Sequence, residues 1–180
     1  MKATGIVRRV DDLGRIIIPK EIRRTLRIHD GDPMEIFIED GGVYFKKYSP
    51  FAELKDYAQK YADTLSNTTN CICIITDRDT IIGVSGVSKR DYFEHGISSE
   101  LENVITEKVV VTAKDESQII PVVTNDSNIY YSQIIVPIKY DGEIAGSVVL
   151  ISKDKNLIIG LTEQKLAEAG AKFLGKILEE

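Results

Sequence analysis

The stretch from Ile6 to Lys47 encodes more β-structure than so short a segment can bury, and this constrains the fold more than any other feature. Ile6-Val7-Arg8-Arg9-Val10 is a β-prone run, and Asp11-Asp12-Leu13-Gly14 is a turn with its conformationally permissive glycine last. Arg15-Ile16-Ile17-Ile18 resumes a strand. Pro19 then suits the first position of a helix from Lys20 to about Arg27, with Ile22 and Leu26 as its apolar stripe. Gly31 can end the next turn, and Met34–Glu39 and Val43–Lys47, flanking Asp40-Gly41-Gly42, predict a β-hairpin. Without a disulfide or a metal, such a unit is too small to supply its own core. Ile16, Ile18, Met34, Ile36, Phe37, Val43 and Phe45 therefore need a covering partner, and a second copy is the simplest one.

Charge sets the same segment apart. The 180 residues carry a net charge of −5. Met1–Ile28 nevertheless holds eight Lys/Arg against three acids, a local +5, whereas Phe51–Glu180 holds 13 basic against 20 acidic residues, −7. A basic end on an acidic body suits contact with a polyanion at that end. Lys20, Arg23, Arg24 and Arg27 cover most of the predicted helix. The planar fork of arginine grips a phosphate or a guanine edge with two hydrogen bonds, and a two-fold dimer doubles the set to straddle one duplex. The alternative is a set of exposed ion pairs, Arg8 or Arg9 with Asp11 or Asp12 and Arg24 with Glu21. Lys47-Tyr48-Ser49-Pro50 breaks the pattern and divides the chain into residues 1–50 and 51–180.

The run from Thr4 to Leu26, with Leu13-Gly14-Arg15-Ile16-Ile17-Ile18-Pro19 at its centre, resembles the AbrB-type swapped-hairpin DNA-binding domain. That resemblance implies an intertwined β-barrel homodimer bound to double-stranded DNA. It places the DNA-contacting arginines on Arg8, Arg15, Arg23 and Arg24, with Arg9 where a basic residue is also common. Lys20 and Arg27 come from the helix face alone. The same fold serves antitoxins, so an antitoxin-like dimer that sequesters a partner protein is the second reading.

Beyond the break, Ser49 can cap a helix with Pro50 at its first position, and Phe51, Leu54, Ala58, Tyr61 and Leu65 form a seam. Leu166, Gly170, Phe173 and Ile177 form another near the end, where Ala167, Gly170, Ala171 and Gly175 leave room for a close neighbour. Two such helices suit an antiparallel pair, or a bundle with a second chain; alternatively both simply cover a sheet. Between them lie strand-like runs at Cys71–Thr76, Ile81–Val84, Val109–Thr112, Ile119–Val123, Tyr130–Ile138 and Glu143–Ile151. Asp141-Gly142 marks a hairpin, and Ser99-Glu100-Leu101-Glu102 reads as a capping box opening a helix to about Glu107. The expected class is α+β with a largely antiparallel sheet.

This order of elements resembles a GAF domain. The whole chain is similar to the stage V sporulation protein T family of spore-forming bacteria. The resemblance implies a transcription regulator of forespore genes, able to activate or repress, cytoplasmic and associated with the nucleoid. It also implies a homotetramer of two DNA-binding dimers joined through the GAF-like helices. The cyclic-nucleotide signature Asn-Lys-Phe-Asp-Glu is missing, so an effector of this domain is left unidentified and no cofactor-binding residue is assigned.

Other chemistries find little support. No apolar run approaches the ~20 residues of a membrane span, and the first residues lack the apolar stretch of a secretory signal. Asn67-Thr68-Thr69 and Asn125-Asp126-Ser127 match the glycosylation pattern, which matters only after secretion. Cys71 and Cys73 are too few for a zinc module and are expected in the reduced core. The run from Gly170 to Lys176 imitates a phosphate-binding loop, but Ile177 stands where Ser or Thr is needed. Gly83-Val84-Ser85-Gly86-Val87 misses the nucleophile-elbow pattern. His29 and His95 lack metal-ligand spacing, and Asp77 and Asp79 read as turn builders. Neither catalysis nor a metal is expected.

Overall fold

The computed structural model describes residues 5–39, 41–48, 54–124, 126 and 128–179, and divides into two compact units, Met1–Tyr48 and Ser49–Glu180.

The first unit consists of helix α1 (Lys20–Thr25) and the hairpin of strands β1 (Met34–Glu39) and β2 (Gly42–Lys47). The hairpin is antiparallel, with Met34 opposite Lys47 and Ile36 opposite Phe45. Ahead of α1, Asp11 N–H bonds to the Arg15 carbonyl at 3.1 Å and Gly14 N–H to the Asp11 carbonyl at 2.9 Å, closing the expected turn with Gly14 at φ +76°. Ile6–Val10 and Arg15–Ile18, expected as strands, form no ladder among the described residues. Strand pairing requires a neighbour, and one copy of this segment offers none. Pro19 sits at the N-cap rather than inside α1, and the helix stops at Thr25, two residues short of Arg27. Arg27 itself is left-handed at φ +50°. The expected Ser49–Pro50 helix start lies outside the described residues, as does Asp40 of the hairpin turn.

No described residue of this unit is buried. Val7 is 85% exposed and Ile38 83%, and Ile6, Val10, Leu13, Ile16, Ile17, Leu26, Ile36, Phe37, Val43 and Phe45 are exposed as well. At about 25 cal/mol per Å², so much apolar surface left in water forgoes the main driving force for folding.

The second unit has a sheet of five strands in the order β4-β3-β7-β6-β5, every pair antiparallel. In chain order it contains α2 (Lys55–Thr69), β3 (Ile72–Thr76), β4 (Ile81–Ser85), α3 (Lys89–Tyr92), α4 (Ser99–Thr106), β5 (Val111–Ala113), a short 3-10 turn (Glu116–Gln118), β6 (Ser132–Tyr140), β7 (Glu143–Ser152) and α5 (Leu161–Ile177). The central strands are almost wholly buried, so their residues are continuously apolar instead of alternating. Leu54, Ala58 and Leu65 of the α2 seam and Ala167, Ala171 and Leu174 of α5 cover one face. Ile97, Leu101, Ile105, Val122 and Tyr130 cover the other.

Helices α2 and α5 touch each other while both lie on the sheet. The rings of Tyr61 and Phe173 stack with centroids 5.9 Å apart, and Tyr61 Oη donates to the Leu166 carbonyl at 3.3 Å. Gly170 leaves room for the Tyr61 ring, so one small residue does admit a helix. Gly175 instead faces the Lys139 carbonyl of β6 and admits a strand. Asp141 (φ +47°) and Gly142 (φ +77°) form the expected β6–β7 turn.

Two local expectations change. Ser98, not Ser99, caps α4, its Oγ accepting from Leu101 N–H at 3.0 Å. Residues 119–123 form no strand: Val123 makes a single bridge to Ile97, while the buried Gln133 side chain takes the place of a ladder neighbour. Its Oε1 accepts from Ile120 N–H at 2.9 Å and its Nε2 donates to the Ile120 carbonyl at 2.8 Å. Among the described residues, no helix is long and apolar enough to cross a membrane.

Candidate nucleic-acid interface and effector face

Two of the five arginines singled out above are shaped by carboxylates. Asp11 accepts from the backbone N–H of Leu13 (3.0 Å) and of Arg15 (2.8 Å), and from Arg15 Nε at 2.7 Å. The Arg15 backbone N–H, then its side chain, holds the Asp11 carboxyl below its ordinary range. This bridge orients Arg15 at the hairpin tip while its side chain stays 70% exposed. Arg23 Nη1 reaches Asp30 at 3.2 Å with the Arg23 side chain 40% exposed, and its buried Nε has no hydrogen-bond partner among the described residues. Bridges this exposed contribute about 0–1 kcal/mol, which a phosphate can outbid.

Arg8, Arg9 and Arg24 are exposed. Arg8 donates only to the neighbouring Val7 carbonyl, at 3.2 Å. The pairs considered above, Arg8 or Arg9 with Asp11 or Asp12 and Arg24 with Glu21, do not form among the described residues. The unit thus joins uncovered apolar surface to exposed guanidinium groups.

The second unit has a polar cluster of a different kind. Tyr92 and Tyr130 are buried, and their hydroxyls meet at 2.5 Å. Asp126 accepts from both, at 2.8 Å and 3.0 Å, and also from the Asn128 backbone N–H at 3.0 Å. Lys153 Nζ donates to Asn128 Oδ1 at 2.8 Å and lies over the Tyr130 ring. Burial, and then the hydrogen bonding around the phenols, pushes Tyr92 up to about 12 and Tyr130 higher still. Burial opposes ionisation of Asp126, but donors from Asn128 and the two phenols outweigh it and hold that carboxyl low. The cluster borders a cleft of about 500 Å³ whose walls include Asp91, His95 and Val123.

Sequence reasoning missed this group, because the two tyrosines stand far apart along the chain and no short motif unites them. It also missed Asp32 and Lys47, which meet at 3.0 Å in the first unit. The sites expected to be inert are so. Cys71 and Cys73 are buried, and desolvation raises both thiols. Asp77 builds its turn by accepting from Asp79 N–H and Thr80 N–H. Among the described residues, no group of His, Cys, Asp and Glu could hold a metal.

Known proteins divide the chain in the same way. Residues 7–52 match the family described as "Antidote-toxin recognition MazE, bacterial antitoxin". Residues 53–179 match "Stage V sporulation protein T C-terminal, transcription factor". The transition state regulatory protein AbrB of Bacillus subtilis is 56% identical over 50 residues, 28% of this chain and 52% of that protein. Its N-terminal part has been solved as a DNA recognition domain, 94% of which this chain covers with a TM-score of 0.25. The GAF domain of an Acinetobacter phosphoenolpyruvate-protein phosphotransferase covers 74% of this chain and 84% of its own length, at 13% identity and a TM-score of 0.59. The protein is therefore a transcription factor that joins an AbrB-type amino-terminal domain to a GAF-like body. Stage V sporulation protein T of Bacillus subtilis is 47% identical over 183 residues, covering all of both chains, and this chain belongs to that family.

Proposed function

We propose that two copies of residues 1–50 interlace into a swapped-hairpin barrel presenting Arg8, Arg9, Arg15, Arg23 and Arg24 to double-stranded DNA. Residues 51–180 join two such dimers into a tetramer through α2 and α5 and respond to a small effector at the face carrying the Tyr92–Tyr130 cluster. The complex acts in the cytoplasm on the forespore nucleoid, activating or repressing sporulation genes according to where it binds at a promoter. Catalysis has no part in this reading. The observation that carries it is the first unit's combination of exposed arginines with an apolar surface that no described residue covers.

The test uses the full chain with Arg23 and Arg24 both replaced by alanine. DNA affinity at low salt falls about a hundredfold, and the slope of log affinity against log salt loses roughly two units, at ~0.9 per phosphate contact. The thermal midpoint stays unchanged. Unaltered DNA binding in that variant would overturn the reading. The antitoxin match over residues 7–52 supports a second reading, sequestration of a protein partner. Co-purification of a stoichiometric partner that displaces DNA would favour it.

A further inference from the structure

Helix α1 spans six residues, buries none of them, and yet carries Arg23 and Arg24. So short a helix does not hold its own orientation in water. Its fixed end is at the C-terminus. Ile28 N–H returns to the Arg23 carbonyl at 2.8 Å, across Arg27 in the left-handed conformation usual for glycine. The freed Arg27 carbonyl then accepts from Lys47 Nζ, at 3.0 Å, from the last residue of β2. The same ammonium lies 3.0 Å from Asp32, whose side chain is 5% exposed. Asp32 Oδ2 also accepts from His29 N–H at 2.8 Å, and His29 Nδ1 lies 3.7 Å away. One carboxylate and one ammonium thereby tie the exit of α1 to the end of the hairpin, where Tyr48 N–H bonds to the Pro33 carbonyl at 2.9 Å.

We propose that Asp32 and Lys47 are positioning residues of the DNA interface, a latch that fixes the angle of α1, and so of Arg23 and Arg24, against the hairpin. This rests on the DNA-binding reading above. The half-buried pair survives because its charges satisfy each other and its spare valences go to backbone groups. Burial works against ionising Asp32, yet the His29 N–H and the Lys47 ammonium hold its carboxyl below the ordinary range.

The competing role for Lys47 is direct contact with a phosphate, and the two roles differ in sign at Asp32. Asp32→Asn removes a negative charge from a basic surface. If Lys47 itself touched DNA, freeing it would tighten binding. If the pair is a latch, Asp32→Asn weakens binding about tenfold, the effect of one lost hydrogen bond to a charged group. Lys47→Met in the full chain weakens binding to a similar degree with the salt slope unchanged, whereas a lost phosphate contact would lower that slope by about one. Lys47→Arg restores affinity. Amide exchange at His29, read by NMR without DNA, quickens in Asp32→Asn and Lys47→Met.

Tighter binding by Asp32→Asn, a lowered slope in Lys47→Met, or unchanged His29 exchange each overturns the proposal. Unfolding of the first unit or loss of its dimer in either variant overturns it too, because the pair would then be part of the fold and not a positioning device. Wild-type protein that ignores DNA removes the DNA-binding reading instead, and His29 exchange still decides whether the latch exists.

Discussion

The two units spend their isoleucines in opposite ways. In the second, Ile74, Ile134, Ile135 and Ile138 are fully buried between the sheet and its covering helices. In the first, Ile16, Ile17, Ile36 and Ile38 face water, in a stretch no less β-prone. The difference teaches where each unit's stability resides. One owns its core within a single chain, and the other holds half a core and depends on mass action with a second copy. A unit of the second kind can place charged groups along a symmetric seam, a geometry a lone small domain cannot offer.

The largest effect is expected where the core is self-contained. Ile134→Ala removes a wholly buried side chain from the centre of β6, where packed neighbours on both faces resist collapse. It should lower the stability of the second unit by about 3 kcal/mol, by the same amount at every protein concentration. Chemical unfolding at two concentrations differing tenfold measures this. A concentration-dependent loss would show that the second unit too depends on another chain for its core.

Ile36→Ser reverses the logic. Ile36, opposite Phe45 in the hairpin, is 61% exposed in one chain, so a solitary unit would barely register the change. If a second copy covers it, burial of an isoleucine is worth about 2 kcal/mol, and dimer dissociation becomes roughly thirtyfold easier. Sedimentation equilibrium reads the shift. Unchanged dimer affinity would place Ile36 outside the interlaced barrel and break the comparison between the units.

That contrast also explains what the sequence reveals. The arginine positions and the Asp11–Gly14 turn are local features, legible from residue order because turn chemistry and helical spacing need no partner. The ladders expected at Ile6–Val10 and Arg15–Ile18 are not a property of one chain. In the second unit the β-branched runs of β3, β6 and β7 announce themselves, as does the Asp141–Gly142 turn. Residues 119–123 deceive because Gln133, whose polar side chain lies where a neighbouring strand would, satisfies Ile120 by itself. The Tyr92–Tyr130–Asp126 group and the Asp32–Lys47 pair arise only from folding. Their members share no spacing rule, and each residue alone looks like ordinary surface chemistry.

The smallest effect tests whether the second unit tolerates a costly residue because its core is secure. Asp77 is a buried carboxylate in the β3–β4 turn, and burial raises its pKa above the model value of 3.8 despite donors from Asp79 and Thr80. A raised folded-state value means that the native state binds more protons than the unfolded chain as pH climbs through this window, so stability falls as pH rises. In Asp77→Asn the amide oxygen can still accept from both backbone N–H groups. The new amide N–H₂ meets Thr80 Oγ1, at 3.1 Å from the present carboxylate oxygen, and that hydroxyl can switch from donor to acceptor. The substitution should therefore stabilise the unit by less than about 1 kcal/mol at pH 7, with the gain vanishing below the unfolded carboxylate range. Thermal melts of both proteins at pH 3.5 and pH 7 decide it. An equal gap at the two pH values would mean that the turn prefers asparagine for its geometry, and that the charge on Asp77 carries no cost.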